Sequence, residues 1–125
     1  MGFSEDLSII ERKNYYIAYQ RMMALLGASV LELEERNDVA DSPGEKAEND
    51  ARILDLQRKK ALVEADRLAF KTNSEQITPP SKEQLQQLSD LIKKVDALTA
   101  ETATVEKIIT LTTDGINTWK KIQPS

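Results

Sequence analysis

Residues 15 to 31 read YYIAYQRMMALLGASVL, an apolar stretch interrupted only by Gln20, Arg21 and Ser29. It is too long for one buried strand and lacks the alternation of a half-exposed one. It is also too short, and too polar around Gln20 and Arg21, to span a bilayer. A helix remains, and its apolar residues fall on more than one stripe. Ile9, Tyr16, Met23, Leu26, Val30 and Leu33 share one face, and Leu7, Ile10, Ile17, Ala24, Ala28 and Leu31 a second. Tyr15, Ala18, Met22 and Leu25 form a third, shorter run. An amphipathic helix needs a single stripe roughly 100° wide or somewhat more. Two neighbouring helices cover two faces, which leaves one for an interface or a ligand groove.

The helix boundaries follow from capping chemistry. Ser4 before Glu5 and Asp6 predicts a start, with a capping hydroxyl and acids in the positive first turn. The pattern then runs to about residue 36, where Asn37 and Asp38 loosen it. Ser42-Pro43-Gly44-Glu45 places a cap, a proline at the first helical position and an acid at the third. That helix is predicted to reach residue 71, with Ala47, Ala51, Leu54, Ala61, Ala65 and Leu68 recurring at helical spacing on one stripe. Residues 72–80, TNSEQITPP, read as a linker because Pro79 and Pro80 stop any helix passing through them.

Ser81 and Gln84 then repeat the capping box. A near-heptad seam follows from Leu85, Leu88, Ile92 and Val95 through Thr99, Thr102 and Val105 to Ile109, Thr112, Ile116 and Trp119. It predicts one helix over about 81–122. Residues 108–113, IITLTT, taken alone read as a strand, but the seam on both sides favours helix. Gly115 is a soft spot within it.

The expected fold is all-α: one domain over 1–125, an elongated antiparallel, up-down-up three-helix bundle with helices at about 4–36, 43–71 and 81–122 and linkers at about 37–42 and 72–80. At about 1.5 Å per residue the third helix is the longest and must overhang its partners or break near Ala100-Glu101. An overhang would leave Ile116, Trp119 and Ile122 without a neighbour in the chain.

Chemistry is constrained by what is missing. The 125 residues contain no histidine and no cysteine, which removes the usual nucleophile–base systems, zinc sites and the Glu-x-x-His pairs of di-iron bundles. The glycines stand isolated at positions 2, 27, 44 and 115, so there is no phosphate loop. No catalytic residue, cofactor or metal ligand is assigned. The net charge of −4 is uneven: residues 32–50 carry eight acids against Arg36 and Lys46. A chain without a basic stripe is a poor nucleic-acid binder. Asp38, Asp41, Glu45 and Glu48 gather at a helix–helix turn, in an order that does not match a calcium loop. In an up-down-up bundle Lys107, Lys120 and Lys121 would lie at that same pole. The N-terminal segment MGFSEDLSII lacks the basic and apolar regions of a secretory signal, and the expected location is cytoplasmic.

Arg21 is a charge in an apolar segment and needs a partner or a route to water. Asp55, a second subunit and solvent are the alternatives. Tyrosine and tryptophan are enriched at interfaces. Together these features predict a non-enzymatic helical module that binds protein, its own copies or another chain, with Tyr15, Tyr19, Arg21, Met22, Leu25, Ile116, Trp119 and Ile122 as the interface. The alternative is a bundle that holds a lipid or small apolar ligand between helices.

Overall fold

Ser8 and Glu11 exchange reciprocal hydrogen bonds, each backbone N–H donating to the other's side chain at 3.0 Å. This capping box, one turn after the predicted start at Ser4, opens α1, Ile9–Asp38. The computed structural model describes residues 7–73, 77–98 and 105–124, and Ser4 itself lies outside them. α2 spans Pro43–Asn73, with the Glu45 N–H donating to Ser42 Oγ at 3.1 Å and Glu45 Oε2 accepting from the Asp41 N–H at 3.4 Å. α3 spans Lys82–Asp96 behind the Ser81/Gln84 capping box, and α4 spans Val105–Ile122. The described residues are helical with no strand, and the IITLTT segment lies within α4.

Among the described residues the bundle therefore has four helices, not three. The predicted helix over 81–122 stops at Asp96, where the N–H of Ala97 bonds back to the carbonyl of Lys93. Positions 100 and 101, where a break was anticipated, lie outside the described residues. A physical reason for two shorter helices is burial. A rod of some 40 residues would outrun α1 and α2, whereas folding back puts Ile108, Thr112, Trp119 and Ile122 in the core.

Side-chain contacts fix the directions. Arg21 on α1 is level with Leu85 on α3, and Glu32 with Asp96, so these helices run parallel. Gly115 lies opposite Met22 and Leu25, and Trp119 opposite Tyr15 and Tyr19, so α4 runs antiparallel to α1. The order is up-down-up-down. The C-terminal end of α4, with Lys120 and Lys121, thus lies at the pole of α1's start, not beside the acidic turn as expected. There the N–H of Thr78 donates to the carbonyl of Ile122 at 2.8 Å and ties the linker down.

α1 touches α2, α3 and α4, and α3 touches α4, while α2 packs chiefly on α1. This accounts for the breadth of the apolar stretch: the first helix is central and serves three neighbours. Met22, Leu25, Leu26 and Leu33 are fully buried on it, against Leu88, Leu91 and Val95 of α3 and Ile108, Trp119 and Ile122 of α4. Gly115 is buried within α4. A Cβ there would overlap Leu25 Cδ2 and lie 3.5 Å from Met22 Sδ and 3.7 Å from Leu91 Cδ1, so glycine leaves room for side chains of α1 and α3 against α4. Buried hydroxyls are satisfied locally, Ser29 Oγ on the Leu25 carbonyl at 2.7 Å and Thr118 Oγ1 on the Asp114 carbonyl at 3.1 Å.

Candidate interaction surface

At the pole where α1 starts and α4 ends, aromatic rings gather in one cluster. The Tyr15 ring centroid is 4.6 Å from that of Phe70 and 5.3 Å from that of Trp119, and Tyr19 lies 6.5 Å from Trp119. The Tyr15 hydroxyl donates to Gln123 Oε1 at 3.2 Å, and the Trp119 indole N–H donates to Asp66 Oδ2 at 2.8 Å. Arg67 of α2 places its guanidinium carbon 4.9 Å from the Tyr16 ring centroid and 4.8 Å from that of Tyr19, a cation–π contact with both.

This cluster holds three of the eight residues predicted for an interface, Tyr15, Tyr19 and Trp119, and most of the eight are covered by the chain itself. Tyr15, Met22, Leu25, Trp119 and Ile122 are buried in the core, and Tyr19, Arg21 and Ile116 are half-buried around it. Arg21, half-exposed, does not turn to Asp55. Its Nη1 donates to the Leu85 carbonyl of α3 at 2.7 Å, while Asp55 pairs with Lys59 at 3.0 Å. A docking surface built from the five buried side chains would require the bundle to open.

Exposed apolar side chains lie on α1 (Ile9, Ile10, Tyr16, Leu31), at its cap residue Val39, and on α2 (Leu54, Leu62, Leu68), where they accompany one regular stripe. The side of α2 that meets α1 is formed by Asn49, Leu56 and Val63, buried at seven-residue spacing, with Ile53 and Phe70 half-buried beside them. The stripe Ala47, Ala51, Leu54, Ala61, Ala65, Leu68 is displaced from that side by two residues, about 200° around the helix. It is exposed along its whole length: Leu54 is 48% and Leu68 58% accessible, and adjacent Leu62 is 64% accessible. With Arg58 and Thr72 the stripe forms a regular heptad pattern, positions a at Ala51, Arg58, Ala65 and Thr72 and positions d at Ala47, Leu54, Ala61 and Leu68. The helix thus carries two opposed stripes, one facing α1 and one facing outward. The heptad spacing of the outer stripe was visible in the sequence. Nothing there showed that the other stripe, which holds a buried Asn49, is the one used within the chain.

Other surface features lie off this stripe. A groove of about 390 Å³ runs between α2 and α4, walled by Leu62, Val63, Ile116 and Trp119 with Asp66 and Lys120 at its edge. Ile9 and Ile10 are exposed at the start of α1. At the other pole, the carboxyl of Glu32 is held above the ordinary glutamate range, first by burial and then by the negative charges of Glu35 and Asp96, with Arg36 opposing. Among the described residues no group of acids is arranged to hold a metal ion, and no helix is long and apolar enough to cross a membrane. Comparisons with protein-family models, with curated proteins and with solved structures find no match.

Proposed function

We propose that this chain is a non-catalytic helical protein–protein interaction module whose docking surface is the outer face of α2. The observation that carries the reading is the unbroken exposed heptad from Ala47 to Thr72, the pattern by which one helix receives another. Alanine at four of its eight positions allows a second backbone to approach closely, and Leu54 and Leu68 supply anchors. The absence of histidine and cysteine from the whole sequence agrees with a role in binding rather than chemistry. The interface expected on α1 and the C-terminal helix is thereby moved to α2, because the side chains that suggested it fill the chain's own core.

A photoreactive phenylalanine analogue at Leu54, compared with one at exposed Gln86 on α3, tests the surface in cells expressing the full chain. Discrete adducts from position 54 and none from position 86 are the expected result. Equal or absent labelling at both sites would refute the proposal. A second reading, a small apolar ligand beside Trp119, rests on the groove between α2 and α4, whose volume falls in the range of small-molecule sites. Native mass spectrometry that shows only the bare chain would remove it.

A further inference from the structure

We infer that the partner of the outer α2 face is the same face of a second copy of this chain, running antiparallel. The inference rests on the proposed docking role of α2 and adds the identity, direction and register of the partner. It is carried by the self-complementarity of the stripe under reversal. In an antiparallel pair each a position meets a d position of the other helix. Aligning Ala51 with Leu68 of the second copy sets Leu54 against Ala65, and Arg58 against Ala61. Every such layer joins one long side chain to one alanine, so the layers fill evenly.

Charge selects the same arrangement. In this register the flanking g positions bring Asp50 of one copy to Lys71 of the other, twice per dimer, and Gln57 to Glu64. One oxygen of Asp50 accepts a bond from Asn37 Nδ2 of its own chain, which leaves the second oxygen for Lys71. A parallel pair would place Arg58 against Arg58 in the seam, Asp50 beside Asp55, and Leu54 against Leu54 next to an Ala61–Ala61 gap. Like charges in contact and unequal layers both disfavour it. The direction of docking is sterically open, because the stripe lies on the opposite side of α2 from α1.

Sedimentation of the full chain tests the assembly. The expected mass is twice the 14.1 kDa of one chain, with the monomer recovered on dilution. Leu54→Glu should abolish the dimer without changing the helical circular dichroism, since Leu54 is exposed in the single chain. Asp50→Lys and Lys71→Asp should each weaken the dimer by about tenfold, and the double exchange should restore it. Orientation is read by mixing single-cysteine variants Leu54→Cys and Ala65→Cys, which the cysteine-free chain makes unambiguous. A disulfide between the two different variants is the antiparallel result, and disulfides only between identical variants overturn it. A monomer at all concentrations, or a dimer indifferent to Leu54→Glu, overturns the inference as a whole. If the chain is monomeric yet the photoreactive residue at position 54 still captures a different protein, the docking face stands and the self-pairing falls.

Discussion

The indole nitrogen of Trp119 donates to Oδ2 of Asp66 at 2.8 Å, and this bond joins α4 to α2 across the pole where α1 begins. Trp119 is 2% exposed, and its bond to Asp66 is part-buried beside the groove between α2 and α4. Asp66→Ala leaves a buried donor without its acceptor, at a cost of about 1–3 kcal/mol. The expected outcome is a lower midpoint of thermal unfolding and a changed near-ultraviolet dichroism of Trp119, with helix content retained. Asp66→Asn, which keeps an acceptor oxygen, should recover most of the loss.

Gly115 sets a contest between propensity and space. Alanine is favoured over glycine in a helix by about 1 kcal/mol. Here the added methyl would meet Leu25 Cδ2, with Met22 Sδ and Leu91 Cδ1 close by. Overpacking of this kind costs about 1–3 kcal/mol. Gly115→Ala should therefore be neutral to destabilising in urea unfolding, never stabilising by the propensity difference, and Gly115→Ala combined with Leu25→Ala should cost less than the sum of the two.

Asn49 is buried at 2% exposure in the α1–α2 contact, and its Nδ2 has no hydrogen-bond partner among the described residues. Replacing an uncompensated polar group by an apolar one of similar size removes its desolvation cost. Asn49→Leu should raise stability by about 1–2 kcal/mol, read as a shift of the denaturant midpoint at unchanged slope.

Glu32 gives stability a pH dependence of defined sign. Burial and the neighbouring acids raise its pKa in the folded chain above the value in the unfolded one. Between those two values the folded state holds more protons than the unfolded state, so this group makes stability fall as pH rises. The penalty is complete above the folded value and relieved as pH falls toward 4.5, the ordinary carboxyl value. Glu32→Gln should remove that slope from the unfolding free energy in the mildly acidic range, and Asp96→Asn should reduce it.

The parts of the fold legible in the sequence are those set by local chemistry. Ser42 with Glu45 and Ser81 with Gln84 announce two helix starts. The second pair forms the full reciprocal box, while in the first Ser42 accepts from Glu45 and the Glu45 carboxylate reaches the Asp41 N–H instead. The cap that forms is Ser8, with Glu11 three residues on, a turn after the predicted Ser4. The division of the last helical region was harder to see because the heptad seam continues through Thr99 and Thr102. Periodicity records which residues share a face, and a chain that folds back needs the same faces on both segments. For the candidate site, the outer stripe of α2 was visible at its correct spacing. Which of the two opposed stripes α1 would take depends on the shape of α1, a property no local pattern contains. The same holds for Tyr15, Met22 and Trp119, whose composition suits a surface and a core equally.

α1, α3 and α4 each lean on two or more neighbours, whereas α2 leans chiefly on one. The molecule is thus a three-helix kernel with a long arm folded along it, and the two should not come apart at the same moment. Opening the arm costs the Leu56 and Val63 contacts and the Trp119–Asp66 latch, while Met22, Leu91 and Ile108 stay enclosed. Amide exchange in native conditions would show this as two free energies, the lower one belonging to α2. An arm that opens first can exchange its seat on α1 for that of a neighbouring copy, so the element with the exposed seam is also the one most ready to be traded between chains.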